Sequence, residues 1–243
     1  MKDEEELVTE HFGEWAPTYE EDITEMVERD WGIKYEEFVR LIMVHCKLRP
    51  GTNILDAATG TGLIAISIAK VLSGNCKILG IDITDEMLEK AKANIKAESL
   101  DDVISLKKAS AENIPSDDNA YDLVVCSLAL HHMNVRKTLR EFVRVLKPKG
   151  RIVVVDVCAP ERWRTLYGRI FVTIYCFLLM CKGSKADAKT EMYTRKEWEA
   201  LVVELRGTHV QFKEFPNKGN EWALGAIITS WIQDNGDYEA DSA

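Results

Sequence analysis

The chain has no Cys-x-x-Cys pair and only six cysteines in 243 residues, which excludes the usual ligand spacing of a structural zinc site. Cys126 and Cys158 fall within expected core strands and Cys176 and Cys181 within an apolar run, so reduced packing thiols and no metal are expected. No apolar run reaches the roughly 20 residues that a helix needs to cross a bilayer. The opening Met1-Lys-Asp-Glu-Glu-Glu6 is acidic where a secretory leader is basic and then apolar, and a cytoplasmic protein is expected. There is no internal repeat, and the one low-complexity segment is the acidic end, residues 233–243, expected to be disordered. Aromatic side chains do not interleave with the main basic cluster as a single-strand-binding surface requires, so no nucleic-acid partner is expected.

Apolar material is plentiful. Hydrophobic residues make up 46% of the chain, enough for one large core. One domain over residues 1–232 is expected, with helices in residues 1–50 and an insertion at 160–193. The net charge of −9 is unevenly spread, since residues 1–30 hold twelve acids and two bases, and residues 233–243 hold four acids and no base. The body between is therefore basic. Arg136, Lys137, Arg140, Arg144, Lys147, Lys149 and Arg151 crowd into one stretch. That stretch reads either as a phosphate-binding stripe or, more simply, as a solvated helix face with the turn after it.

The most informative segment is Asn53-Ile-Leu-Asp-Ala-Ala-Thr-Gly-Thr-Gly62, followed one crossover helix later by Gly80-Ile-Asp-Ile83. A short apolar strand, a glycine loop, a helix and a second strand ending in an acid make a nucleoside-binding βαβ unit. Gly60 and Gly62 allow a tight turn and close approach to a ligand. Asp82 is placed to take two ribose hydroxyls. Gly60-Thr-Gly-Leu-Ile-Ala65 also satisfies the dinucleotide pattern, so spacing does not choose the nucleoside. Charge does: Asp56 precedes the loop, where a pyrophosphate would meet an anion. S-adenosylmethionine has no phosphate and carries a sulfonium and an ammonium, so it is the expected cofactor. The alternative for Asp56 is a cap on the following turn.

With these residues the chain resembles the class I S-adenosylmethionine-dependent methyltransferases, and among them the ubiquinone and menaquinone biosynthesis branch. Asp56-Ala-Ala-Thr-Gly-Thr-Gly62 is similar to the family's first motif, with Ala58 where many members have Gly. Gly80 to Leu88 resembles the ribose-binding segment, which implies that Ile83 and Met87 join Asp82 at the cofactor. Ser110-Ala-Glu-Asn-Ile-Pro115 resembles the adenine-side loop, implicating Ser110, Ala111 and Glu112, although Ser110 replaces the usual Asp. Tyr121 to His132 resembles the strand leading to the methyl group and implicates Ser127. Arg144 to Arg151 resembles the turn into strand five, with Lys149 in place of a common Gly. His11 to Tyr19 resembles the segment that folds over the cofactor, which implies a place for Tyr19 near the methionine moiety.

Helical spacing from Tyr35 to Cys46 predicts a helix over residues 33–47, and strands are expected at 53–56, 77–82, 103–108, 121–126 and 150–157. Alternating helices near 62–73, 85–97 and 135–146 give a doubly wound α/β class. The resemblance adds strands near 208–215 and 222–230, the last antiparallel, for a seven-stranded Rossmann-like sheet. The acidic run Glu20 to Asp30 reads as a solvated helix face.

Arg169 to Cys181 is apolar nearly all round and flanked by Arg162, Arg164, Arg169, Lys182 and Lys185. Leaving Ile170, Phe171, Ile174, Phe177 and Leu178 in water would cost on the order of 8–15 kcal/mol. The domain's own sheet, a second copy in a homodimer, or a membrane surface or greasy substrate could cover them. The resemblance favours a lid over an apolar, lipid-like small-molecule acceptor. His131 and His132 follow strand four at the ligand-binding edge of the sheet, and His132, ahead of His131, is the candidate for acid/base chemistry; the resemblance offers the alternative that the pair packs and fixes the loop. Two other readings are a metalloid methyltransferase using cysteine thiolates and a non-catalytic binding protein of the same fold.

Overall fold

The computed structural model describes residues 4–181, 192–218 and 223–233. Seven strands form one sheet: β1 Thr52–Ala57, β2 Cys76–Asp82, β3 Ile104–Lys108, β4 Tyr121–Ser127, β5 Leu146–Cys158, β6 Gly207–Phe215 and β7 Gly225–Gln233. Their order is β3-β2-β1-β4-β5-β7-β6. β7 runs antiparallel to both β5 and β6, and the other pairings are parallel. This is the Rossmann-like sheet anticipated above.

Both faces of the sheet are covered, which is why its central strands are apolar without alternation. Ile54, Val153 and Val155 face one core cluster, whereas Leu55, Ile152 and Val154 face the other. The first cluster packs against α3 Tyr35–Cys46 and α4 Leu63–Val71, through Phe38, Ile42, Ile64 and Ile68. The second packs against α6 Val135–Val145 and α8 Arg195–Glu204, through Leu139, Phe142, Trp198 and Leu201. α5 Asp85–Ala97 follows β2. β5 starts at Leu146, four residues before the expected position, because the β4 ladder is picked up at Tyr121–Leu146 and resumes at Leu123–Arg151 across an irregularity.

α6 is capped by the Asn134 side chain, which accepts from the Lys137 N–H at 3.0 Å. Much of the basic stretch is spent on ion pairs: Arg136 with Glu204, Lys137 with Glu112, Arg144 with Glu141 and Asp118, and Lys147 with Asp122. For these residues the solvated-face reading holds.

The insertion forms α7 Leu166–Cys181. It rests on the turn Glu161–Arg164 through Gly168, where a Cβ would lie 1.9 Å from the Arg162 carbonyl oxygen. Leu166, Tyr167, Ile170 and Ile174 are exposed, so the sheet does not cover this side of the helix. Arg164 is held by Glu197 in two 2.7 Å hydrogen bonds and by the Met192 carbonyl, and it is not available as a flanking charge. The side chains of Phe171, Phe177 and Leu178, together with Lys182, Lys185 and residues 234–243, lie outside the described residues. Among the described residues no helix is long and apolar enough to cross a membrane.

Candidate active site

The strand order reverses between β1 and β4, and ligands of open α/β sheets bind beyond the carboxyl ends of the strands at such a point. The loop after β1 is built for close approach. Ala58, Gly60 and Gly62 all have left-handed φ, at 54°, 53° and 81°. At Ala58 this conformation costs roughly 1–2 kcal/mol that Gly would not incur. A Cβ at Gly60 would meet nothing within 4 Å, whereas one at Gly62 would touch Ala91. Gly60 therefore borders the cleft, and Gly62 lets α4 pack on α5.

Asp82 ends β2 and fixes the loop. One carboxylate oxygen accepts from the Gly60 N–H at 2.9 Å and the other from the Thr84 N–H at 3.0 Å. Each oxygen keeps acceptor capacity for another donor. Burial pushes the Asp82 pKa above the ordinary carboxylate value. Asp56 is 1% exposed and accepts from the Thr59 hydroxyl at 2.6 Å. It does not line the cleft, so its geometry is that of the turn cap. Burial raises its pKa to about 7.

The amino-terminal helices α1 Glu4–Trp15 and α2 Tyr19–Met26 close over this edge. Lys90 of α5 donates to the carbonyls of Ala16 and Pro17, and Asn94 donates to both Glu20 and the Thr61 carbonyl. Glu20 is thus a tie between α2 and α5, not part of a solvated face as expected. Phe12 meets the His132 ring edge-on at 5.1 Å, and Trp15 packs on Tyr19 at 4.9 Å.

The cleft beneath is lined by Val8, Phe12, Tyr19, Ala58, Gly60, Asp82, Ile83, Thr84, Met87, Ser127, Leu128, Ala129, His132 and Met133. Eight of the residues singled out from the sequence meet there: Tyr19, Ala58, Gly60, Asp82, Ile83, Met87, Ser127 and His132. Ser110, Ala111 and Glu112 do not. Ala111 is buried in the core, Ser110 accepts from the Glu112 N–H, and Glu112 ties down the start of α6 by accepting from the Asn134 N–H at 2.8 Å. Thr84, Ala129 and Met133 were missed, because single small or apolar residues in turns carry no distinguishing pattern. Leu128 has φ 56°, a backbone feature that its side chain does not announce.

The two histidines differ in equipment. His131 Nδ1 is hydrogen-bonded to Asp156, a 2% exposed carboxylate of β5. Asp156 also accepts from the Val157 N–H at 2.8 Å. His132 lies against His131 with ring centroids 4.0 Å apart, and its buried Nδ1 has no hydrogen-bond partner. Burial, with His131 and His11 adding repulsion, pushes the His132 pKa down to about 2.

The cleft holds about 50 Å³ of free space, against roughly 300–1,000 Å³ for ordinary ligand pockets. A nucleoside enters only if the α1–α2 cover shifts or its rings turn. The remaining features fit an adenosyl ligand without phosphate: an acid with spare acceptors, a glycine approach, apolar walls at Ile83, Met87 and Leu128, and an orphaned histidine nitrogen.

This sheet order, with an acid ending β2 beside a glycine loop, defines a nucleoside-binding α/β protein of the class I methyltransferase type. Residues 48–202 match the methyltransferase domain family, and the chain belongs to it. It is 32% identical over 198 residues to a demethylmenaquinone methyltransferase of Symbiobacterium thermophilum, covering 79% of this chain and 77% of that one. It is 32% identical over 160 residues to a ubiquinone/menaquinone biosynthesis C-methyltransferase of Geotalea daltonii, covering 64% and 65%. Among solved structures, the YcgJ protein of Bacillus subtilis matches with TM-score 0.65 at 20% identity, over 83% of this chain and 100% of that one. The geranyl diphosphate C-methyltransferase of Streptomyces coelicolor matches with TM-score 0.65 at 13% identity, over 82% and 79%. These structural likenesses speak for the fold. The protein is an S-adenosylmethionine-dependent methyltransferase.

Proposed function

We propose that the acceptor is a small, apolar, quinone-type molecule, reached beneath α7, and that His131 takes the proton the acceptor must lose. The observation that carries this reading is α7 itself, whose Leu166, Tyr167, Ile170 and Ile174 stand exposed on a helix that, among the described residues, packs chiefly on the turn Glu161–Arg164. Relatives named for demethylmenaquinone and ubiquinone/menaquinone methylation, similar over more than half of the chain, support the substrate class. S-adenosylmethionine supplies an electrophilic methyl group on a sulfonium. This chain's residues hold the adenosyl ligand with Asp82 and the Gly60 backbone, wall it with Ile83 and Met87, and cover it with Phe12 and Tyr19 so that water is excluded. Orientation and exclusion of water are the main catalytic tasks for such an activated donor.

The metalloid reading is less well supported. Cys46, Cys76, Cys126 and Cys158 are buried, and burial raises the pKa of Cys46 and of Cys158 to about 12. Thiols of this kind are not poised as thiolate ligands.

The test is methyl transfer from labelled cofactor to a detergent-dispersed demethylmenaquinone analogue. Labelled product is expected. Ile170→Ser with Ile174→Ser should lower that transfer about tenfold or more, since each apolar contact is worth about 1.5–3 kcal/mol, while S-adenosylhomocysteine still binds. Absence of product, or full transfer by the double variant, would sink the acceptor assignment or the role of α7 respectively.

Asp56 provides a pH signature. With a pKa raised to about 7, it is protonated below that pH and an anion above it. Affinity for the cationic cofactor should therefore rise by roughly tenfold from about pH 6 to about pH 8, one added charge being worth on the order of 1–2 kcal/mol at an effective dielectric near 20. The folding contribution has the opposite sign: a carboxyl that keeps its proton in the folded state loses stability as pH climbs from about 4 to about 7. Calorimetric titration of wild type and Asp56→Asn isolates the carboxyl. An Asn variant with the wild-type pH slope would show that Asp56 does not act on the cofactor.

A further inference from the structure

At the opposite edge of the sheet, the amino-terminal ends of β1, β4 and β5 surround a second hollow of about 380 Å³. Its rim comes from the turn between α3 and β1 and from the turn at the start of β5. Lys47, Arg49, Lys147, Lys149 and Arg151 line it, with Asp122 as the one acid. Asp122 is already committed. Lys147 Nζ donates to both its oxygens at 2.9 Å, and the Asn53 N–H donates to it at 2.9 Å. Four cations are left around the hollow without a counter-charge among the described residues.

Two further features are hard to account for as a merely solvated turn. Arg151 Nη1 is buried without a hydrogen-bond partner, a condition that costs a charged group more than the roughly 1–3 kcal/mol of a neutral one. Arg49 adds like-charge repulsion, and burial together with that repulsion lowers the Arg151 pKa. Lys47 and Lys149 both occupy left-handed backbone, with φ of 50° and 64°. Lys47 ends α3, where Gly is the residue without strain. Each lysine thus places a charge at the hollow at the expense of backbone strain, and such outliers cluster where a ligand is held.

We propose that this hollow is a binding site for a phosphate group, separate from the cofactor cleft. Guanidinium and ammonium donors converging on a small concave space suit a compact multivalent oxyanion, whose charge would relieve their mutual repulsion and offset the buried Arg151 charge. No aromatic residue lines the hollow, so nothing there stacks a base. The two ends of a strand of six residues are about 20 Å apart, so the ligand acts on the enzyme as an effector or tether and does not react. The phosphate belongs either to a free metabolite or to a lipid headgroup.

The full-length protein would be titrated calorimetrically with inorganic pyrophosphate at fixed ionic strength, and in parallel with vesicles of phosphatidylcholine containing phosphatidic acid. The test variant is Lys47→Gly with Lys149→Gly. It removes two donors and relieves two strained residues, so it should fold with unchanged or raised melting temperature and bind S-adenosylhomocysteine like wild type. Saturable pyrophosphate binding, at least tenfold weaker in the variant, is expected and identifies a free phosphate. Vesicle binding without pyrophosphate binding, lost in the variant, identifies a headgroup. No saturable binding of either probe, or binding that the variant retains, overturns the proposal.

Discussion

Replacing Asp82 with Ala is expected to weaken S-adenosylmethionine binding by about 10²–10⁴-fold, since a charge-assisted hydrogen bond is worth about 1.5–3 kcal/mol and two are lost. The carboxylate has a second task that increases the effect. It receives the Gly60 and Thr84 N–H groups, so its removal leaves two backbone donors unpaired and frees the loop that shapes the cleft. Asp82→Asn separates the tasks. An amide keeps one acceptor for the backbone but loses the charge, and it should bind the cofactor better than Ala and worse than Asp. Calorimetry with S-adenosylhomocysteine reads both variants, because that product carries the same ribose. An Ala variant of unchanged affinity would remove Asp82 from the binding site.

The cleft positions of Asp82 and Gly60 were legible in the sequence for a physical reason. A nucleoside site needs an acid at one strand end and a residue without Cβ near another, and those demands survive in the spacing of one βαβ unit. The sheet was legible because doubly covered strands are short apolar runs, so β1, β2 and β4 were placed within a residue or so. The amino-terminal cover was less so. The acidic run reads as a polar face, yet Glu20 pairs with Asn94 and sits 3.9 Å from the Lys90 ammonium, contacts that exist only once α1 and α2 have folded over α5. The π-helical turn Val27–Trp31 that follows α2 depends on burying Trp31 beside Phe38, and no local pattern encodes it.

Charge at Asp56 points to the cofactor class that the family confirms, yet the Asp56 side chain lies beneath the loop and does not line the cleft. Its influence on a ligand is that of a buried field, not a contact. The adenine-side loop lies outside the lining of the closed cleft. Ser110, Ala111 and Glu112 match a motif in order, but the fold uses Glu112 to hold the start of α6 and Ala111 to fill the core.

His131→Ala is expected to lower turnover by about 10²–10⁴-fold, the usual worth of a positioned general base, while S-adenosylhomocysteine affinity stays near wild type. The sequence favours His132 over His131, and the proposed role reverses that order. The ranking follows from β5 lying beside β4, which brings Asp156 to His131 and leaves His132 Nδ1 with no partner. The Asp156 carboxylate engages Nδ1 and orients the ring, which leaves Nε2 as the nitrogen free to meet the acceptor's proton. His132, held near pKa 2, stays neutral at any working pH and serves as an aromatic wall against Phe12. His132→Phe, which keeps a ring there, should therefore lose at least tenfold less activity than His131→Ala. Asp156→Asn leaves the base in place with the wrong partner, and should lower turnover by about ten- to a thousandfold. If His132→Phe is the crippled variant and His131→Ala turns over normally, the proton passes through His132 and Asp156 only braces the fold.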